Sequence, residues 1–479
     1  MSIKLRGVNP SRREWLSRVG NGFGMAALAG MLEAGPAGAA EVNPLAPKPA
    51  PLPAKVKNVI YLFMHGGVSH VDTFDYKPVL AANSGKNLSP ELARTIKTSF
   101  IHDPSKAILR GSPWEFRPGG KSGVMVSDAM PHVREMMDDV VVLKGCYGDQ
   151  FDHAPAIYLR STGFQLPGRP CLGSWVTYGL GTENQNLPAF VVMSDGSTKS
   201  GPPAYSSGFL PAVYQGTVFR GGESPILYLK NPEGIADPVQ RQTLDFINQI
   251  DRIAERTRPN DSTLDARISS YELAWRMQSA APDAVDITKE TEATRKLYGV
   301  GESPTDDFGR KCLLARRLVE RGVRFIQLIS GTNVGQDWDD MHTDLTGTMA
   351  RMTAKTDKPI AGLLKDLKSR GLLDSTLVIW GGEFGRTPLA QGDNGRDHHP
   401  YGFSMWMAGG GIQGGRSLGA TDDFGVAATE MRIDAHDVNA TILRLMGIDH
   451  KGLTYRYQGR DMRLTDVKGD GEFSARLAL

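Results

Sequence analysis

The chain has 479 residues, 40% of them hydrophobic and 23% charged, an ordinary balance for a soluble globular protein with a sizeable core. A formal net charge of +2 gives no basic field of the kind that draws nucleic acid, so that partner class is excluded. The three cysteines, Cys146, Cys171 and Cys312, fit no zinc-finger spacing; their odd number leaves at least one free thiol, with one disulfide left open.

Taken from the N-terminus, Ser11-Arg-Arg-Glu-Trp-Leu16 precedes a moderately apolar Gly/Ala-rich run from Val19 to Leu32. The small residues Ala37-Gly-Ala-Ala40 then offer a cleavage site. This order predicts a twin-arginine signal peptide over residues 1–40, an address read by the export machinery and not an anchor. The apolar run is too short for a stable membrane span. Export by that route carries folded proteins, so the mature chain is expected in the periplasm or outside the cell, with any metal loaded beforehand. Residues 41–56 follow as a proline-rich linker, with five prolines between Asn43 and Lys55, and the folded part is expected from Lys57.

From there, short apolar runs alternate with helical patterns. The runs are Lys57–Met64, Val140–Leu143, Ala189–Met193, Val323–Ile329, Thr376–Trp380 and Phe403–Ala408. The helical patterns are Met130–Met137, Pro238–Arg256, Ser262–Ala280, Asp307–Arg321, Asp357–Arg370 and Val438–Met446, the last with Asp437 as its expected N-cap. Strands alternating with helices predict an α/β fold: three layers, α/β/α, around a mainly parallel sheet. It would be a single domain over 57–479, with a helical insertion at about 238–300.

Ligands of such sheets sit beyond the strands' carboxyl ends, and that is where the polar residues gather. His65 follows the first run, Asp337 to His342 lie beyond Val323–Ile329, and Glu383 follows Thr376–Trp380. Asp397-His398-His399 stand just before Phe403, and five of the ten histidines (His65 with the nearby His70, His342, His398 and His399) fall in these segments. Each alone reads as a turn or cap residue; together they match the N/O donors of a divalent metal site. The chain has no G-x-S-x-G elbow, and the glycines at 409–411 and 414–415 lack the placement of a dinucleotide fingerprint.

Three segments resemble, in order, the sulfatase/alkaline-phosphatase superfamily: KNVIYLFMHGG, STLVIWGGEFG and IDAHDVNATILRLMGID. GGVSHVDTFDYKP, LGSWVTYGLGTENQNLPAFVV, GLLDSTLVIWGGEFGRTP, GRDHHPYGFSMWMAGGG and LTYRYQGRDMRLTDV resemble an exported branch of it, the domain-of-unknown-function family numbered 1501. The resemblance implies an alkaline-phosphatase/sulfatase-like fold with one or two divalent ions (zinc, manganese or calcium). His65 takes the place of the superfamily's first metal aspartate, Glu383-Phe384 that of a later metal pair, and His398 that of the late metal histidine. In MPHVREMMDDVVVLKGCYGDQFDHAPAIYLRSTG, His153 falls on the nucleophile position and Ile157 replaces the usual arginine. Formylglycine chemistry is thereby excluded, and His153 is left as ligand, acid/base group or nucleophile.

The implied ligands are His65, Asp72, Asp339, His342, Glu383 and His398, with His153 and Arg386 as catalytic residues. Trp338-Asp-Asp-Met-His342 is one residue longer than the family's pattern, which leaves Asp339 and Asp340 as alternatives. Arg386 would clamp an oxyanion or pair with Glu383 or Asp397. The implied function is metal-dependent hydrolysis of a phosphate or sulfate ester by metal-activated water, on a small anionic ester or a sulfated or phosphorylated glycan. The alternative is a non-catalytic secreted binding protein on the same fold.

Overall fold

The computed structural model describes residues 43–479, apart from 195, 197, 223–224, 227–228, 230, 232, 258–261, 332–336, 470–472 and 478–479; the signal peptide expected over residues 1–40 lies outside the described residues. Its centre is an eight-stranded sheet. In chain order the strands are β1 (Asn58–Met64), β2 (Val140–Cys146), β3 (Phe190–Ser194), β4 (Thr217–Phe219), β5 (Phe325–Ser330), β6 (Thr376–Gly381), β7 (Phe403–Gly409) and β8 (Arg416–Leu418). They lie side by side as β8-β2-β7-β6-β1-β5-β3-β4. All pairings are parallel except the two made by β7, which runs against both β2 and β6.

β1 shows why the runs read as continuous apolar stretches and not as alternation: every one of its residues is buried. Ile60, Leu62 and Met64 enter one core, whereas Val59, Tyr61 and Phe63 enter the other. The first core is closed by α5 (Asp306–Glu320) and α6 (Leu345–Ser369), and the second by α2 (Leu172–Leu180) and α7 (Ala435–Leu445); α1 (His153–Thr162) joins the second through Ile157. Full burial of one such side chain contributes about 1.5–3 kcal/mol, so a strand covered on both faces is held by its whole length. The three layers expected from the sequence are therefore present. Helices α3 (Asp237–Thr257) and α4 (Ser262–Val285) occupy the charged region, which holds no strand among its described residues.

Three elements differ from expectation. Met130–Met137 yields only a helical turn, Pro131–Arg134, followed by a 3-10 turn at Met137–Asp139. Helix α6 begins twelve residues before Asp357, because the Asp344 carboxylate caps it by accepting from Gly347 N. It runs through Pro359, whose missing N–H is outweighed by the buried face of Leu345, Met349, Met352, Ile360, Leu363 and Leu364. The N-cap of α7 is Asp434, not Asp437. Asp434 accepts from the His436 and Asp437 amides while Asp437, at the third helical position, accepts from Asp434 N.

Residues 44–479 form one compact unit, and the proline-rich stretch is part of it. Lys48 N donates to Leu180 O at the end of α2, Leu52 N to Gly447 O, and Lys55 N and Val56 N to Leu445 O at the end of α7. Helix ends leave carbonyls without intrahelical partners, and the non-proline residues of an extended stretch make no hydrogen bonds within it, so their amides can donate there. Cys146, Cys171 and Cys312 are all buried free thiols, and burial pushes Cys146 up to about 12.

Candidate metal centre

Five parallel strands deliver their carboxyl ends to one edge of the sheet, and each is followed by a polar residue of the cluster. His65 comes directly after β1, Glu383 after β6, Asp337 and Asp339 beyond β5, His153 at the start of α1 beyond β2, and Lys199 beyond β3. His398 reaches the same edge from the other direction. Because β7 is antiparallel, its amino end lies there, so a ligand-type residue has to precede that strand instead of following it. The glycines after His65 make the approach close enough. At Gly66 (φ 115°) a Cβ would stand 2.5 Å from Asp339 N, and at Gly67 (φ 77°) it would meet the Phe384 ring at 2.6 Å.

The hub is Asp339. Its Oδ1 lies 3.0 Å from His153 Nε2, 3.2 Å from His342 Nε2, 2.9 Å from His398 Nε2 and 2.8 Å from the Arg386 guanidinium. Oδ2 accepts from Lys199 Nζ at 2.5 Å. Burial works to raise the Asp339 pKa, but the three imidazoles and Arg386 hold the carboxyl far below its usual range. The extra residue in Trp338–His342 is absorbed by a 3-10 turn, capped by Asp337, in which residues three apart eclipse. Asp339 and His342 therefore share a side, while Asp340 turns away to Arg351 at 2.8 Å. His398 and His399 sit on opposite faces of a two-residue strand paired with Gly385-Arg386. His399 consequently points into the body, donates to Val426 O and stacks on His70.

Two of the three rings are oriented from behind. His153 Nδ1 donates to Glu383 Oε1 at 2.6 Å, and His342 Nδ1 donates to Gln391 Oε1 at 2.6 Å, which leaves both Nε2 atoms facing the hub. A carboxylate or amide fixing the far nitrogen is the support that metal-ligating histidines ordinarily have. Burial and the Arg386 charge depress His398 to about 3, so its ring is neutral and carries a lone pair. His342 and His398 bring their Nε2 atoms to 2.8 Å, where one must donate to the other. His398 Nδ1 and Glu383 Oε2 are buried without a hydrogen-bond partner among the described residues. Burial opposes ionisation of Glu383, yet the hydrogen bond from His153 and the His153 charge bring it down to about 2.

Three imidazole nitrogens and one carboxylate oxygen converging on a point are the donors a divalent ion takes, so the residues fit a metal. Among the described residues, two sets lie close enough to share one: His153, Asp339 and His398, and His342, Asp397 and His398. Phe384 packs on His153 and His398, and the half-exposed Phe100 sets its ring edge against His342 and His398. Asp397 Oδ2 accepts from the amides of Ser99, Phe100 and Ile101, which fixes that loop over the rings.

Three residues named from the sequence have other work. His65 accepts from Lys199 N at Nε2 (3.0 Å) and donates to Gly331 O from Nδ1 (2.9 Å), so both ring nitrogens are taken; burial lowers its pKa and keeps it neutral. Asp72 is sealed in the body: Arg396 Nε meets its Oδ2 at 2.7 Å, Arg396 Nη2 meets its Oδ1 at 3.1 Å, and Ser69 Oγ donates at 2.5 Å. Arg386 is fully buried and spends its donors on the carbonyls of Gly66, Gly67, Trp338 and Arg396 and on Asp339. It braces the loops that carry the centre and presents no fork to a ligand.

Sequence reasoning passed over Lys199, Gln391, Phe100 and the part played by Asp337 in capping the 3-10 turn. Lys199 alone had a usable signal, since it follows a recognised strand at the ligand-binding edge. Gln391 and Phe100 are brought in by loops with no periodicity to read.

The family described as "Protein of unknown function (DUF1501)" matches residues 56–472. No curated protein matches the chain. Similar solved structures include a sulfatase from Pseudoalteromonas sp. (13% identity, 96% of this chain and 77% of that one, TM-score 0.37). The lipoteichoic acid synthase LtaP from Listeria monocytogenes is 10% identical over 88% of this chain and 78% of that one, with TM-score 0.37. The alkaline phosphatase from the Antarctic bacterium TAB5 is 11% identical over 83% of this chain and 99% of that one, with TM-score 0.36. With its folded part matched from the strand that leads to His65 through to the C-terminal region, the chain belongs to the DUF1501 family.

Proposed function

We propose that this chain is an exported metal-dependent hydrolase of anionic esters, phosphate or sulfate. One observation carries the reading: the Nε2 atoms of His153, His342 and His398 converge on Asp339 Oδ1 at about one hydrogen-bond length, with the His153 and His342 rings fixed from behind. Asp339, His342 and His398, whose Oδ1 and Nε2 atoms lie 2.8–3.2 Å from one another, would hold the ion, and Asp397 is close enough to His342 and His398 to contribute. The chemistry such an ion would supply when bound is Lewis acidity toward an ester oxygen and a lowered pKa for water.

The chain's own groups supply the rest. Glu383 fixes the His153 ring through Nδ1, so Nε2 is the atom that takes or gives a proton at the reacting centre. The opening of α1 places His153 where the helix N-terminus favours negative charge. Phe100 and Phe384 limit water around the rings. Lys199 gives the site a cation of its own, which suits an anionic substrate over a neutral one.

Metal analysis of purified protein, followed by turnover of aryl phosphates, phosphodiesters and aryl sulfates, tests the whole. About one divalent ion per chain and turnover of one ester class are expected; stoichiometric metal with no ester turned over would favour the binding protein. His153→Ala should lower kcat by roughly 10²–10⁴-fold while metal content is kept, with partial rescue by added imidazole. Loss of the ion in that variant would make His153 a required ligand instead. Export is checked by cell fractionation. The Arg12→Lys, Arg13→Lys variant should stay in the cytoplasm at its full precursor length, and normal secretion would contradict the twin-arginine reading.

A further inference from the structure

Among the described residues, the Lys199 side chain makes its polar contacts with the candidate centre. Its Nζ lies 2.5 Å from Asp339 Oδ2, 3.3 Å from Asp337 Oδ2 and 3.3 Å from His153 Nε2. Its backbone is fixed independently, since Lys199 N donates to His65 Nε2 at 3.0 Å and the turn closes with Gly201 N on Thr198 O. The flexible part is the four-carbon stem, about a third exposed, carrying a compact point charge. His65, held by β1 and Gly331, thus serves to hold the base of this arm.

An ammonium and a divalent cation on the same carboxylate repel each other strongly in a partly buried site. We propose that Lys199 is a displaceable cation and the substrate-positioning residue of the site. It neutralises the Asp337–Asp339 pair, gives way when a metal ion takes Asp339, and then turns its ammonium to the anionic oxygens of the substrate. The inference rests on the metal-hydrolase reading above and names the group that recognises the anion. A single donor on a flexible stem neutralises an oxyanion without dictating its shape, so tetrahedral phosphate and sulfate are both suitable.

Two titrations test it, on wild-type protein and on Lys199→Met, with Lys199→Gln as a second variant should the first fold poorly. Protein stripped with a chelator is titrated calorimetrically with Zn²⁺ and with Mn²⁺, and the loaded protein is then titrated with inorganic phosphate and with sulfate. The substitution is expected to tighten metal binding about tenfold or more and to weaken anion binding by a similar factor. A purely structural lysine would not move these two affinities in opposite directions. Metal binding that weakens or stays the same, or anion binding that is unchanged, overturns the proposal while leaving the hydrolase reading intact. If wild-type protein takes up neither ion, the hydrolase reading falls and this proposal falls with it.

Discussion

Asp339→Asn is expected to strip the centre, lowering bound metal from about one ion per chain to a small fraction at micromolar protein. The substitution keeps the side chain's shape and an oxygen for Arg386, but removes the charge on which three imidazole nitrogens and Lys199 converge. Loss of a supporting residue alone costs a metal site roughly 10–100-fold in affinity, and loss of a ligand at the hub should exceed that. Ester turnover should fall by on the order of 10²-fold or more at fixed metal. His398→Ala should behave alike, because its neutral ring belongs to both ligand sets. Asp340→Ala, one residue along and turned toward Arg351, should leave metal and turnover unchanged. Metal retained at full stoichiometry by both Asp339→Asn and His398→Ala would end the metal reading.

The second large effect is on stability. Asp72→Ala is expected to destabilise the fold by about 3–5 kcal/mol, because it strands the buried Arg396 charge without its counter-ion. Neither side chain of this pair has any solvent exposure. Spread over an unfolding entropy of about 2.1 cal/mol/K per residue, that is a fall in Tm of roughly 3–5 °C for a unit of this size. Removing both charges together (Asp72→Leu with Arg396→Met) should recover much of the loss, since the desolvation cost disappears with them. Arg396 also donates to the carbonyls of Arg110, Gly111 and Thr387, so the pair pins the segment that ends in His398. Metal content of the folded fraction should nevertheless be unchanged in Asp72→Ala. A variant that keeps its melting temperature but loses its ion would return Asp72 to the ligand set.

Much of the scaffold was legible from residues alone. The strand beginning at Asn58 and those beginning at Thr376 and Phe403 were recognisable because burial on both faces leaves near-continuous apolar runs. Elements set by a few local bonds were harder to see. The start of α6 depends on the Asp344 cap, and the register of α7 depends on a capping box one turn earlier than the apolar pattern indicates. Five of the six metal candidates, and His153 with them, do border the cluster, because the carboxyl-edge rule places residues by strand order.

What each candidate does there was decided by folding. Asp72 and Glu383 are both carboxylates near glycine turns, and no local pattern separates them. Asp72 meets Arg396 from 324 positions away, while Glu383 meets Gly66 N and His153 from 317 and 230 positions away. Arg386 reads as a clamp in sequence, yet four carbonyls consume its donors once the loops close around it. Apolar periodicity, turn residues and the order of strands are properties of neighbours along the chain, so they determine the layers and the edge where chemistry collects. Ligation, proton transfer and bracing depend on which atoms of distant segments come within about 3 Å, and only the packed sheet with its antiparallel β7 settles that.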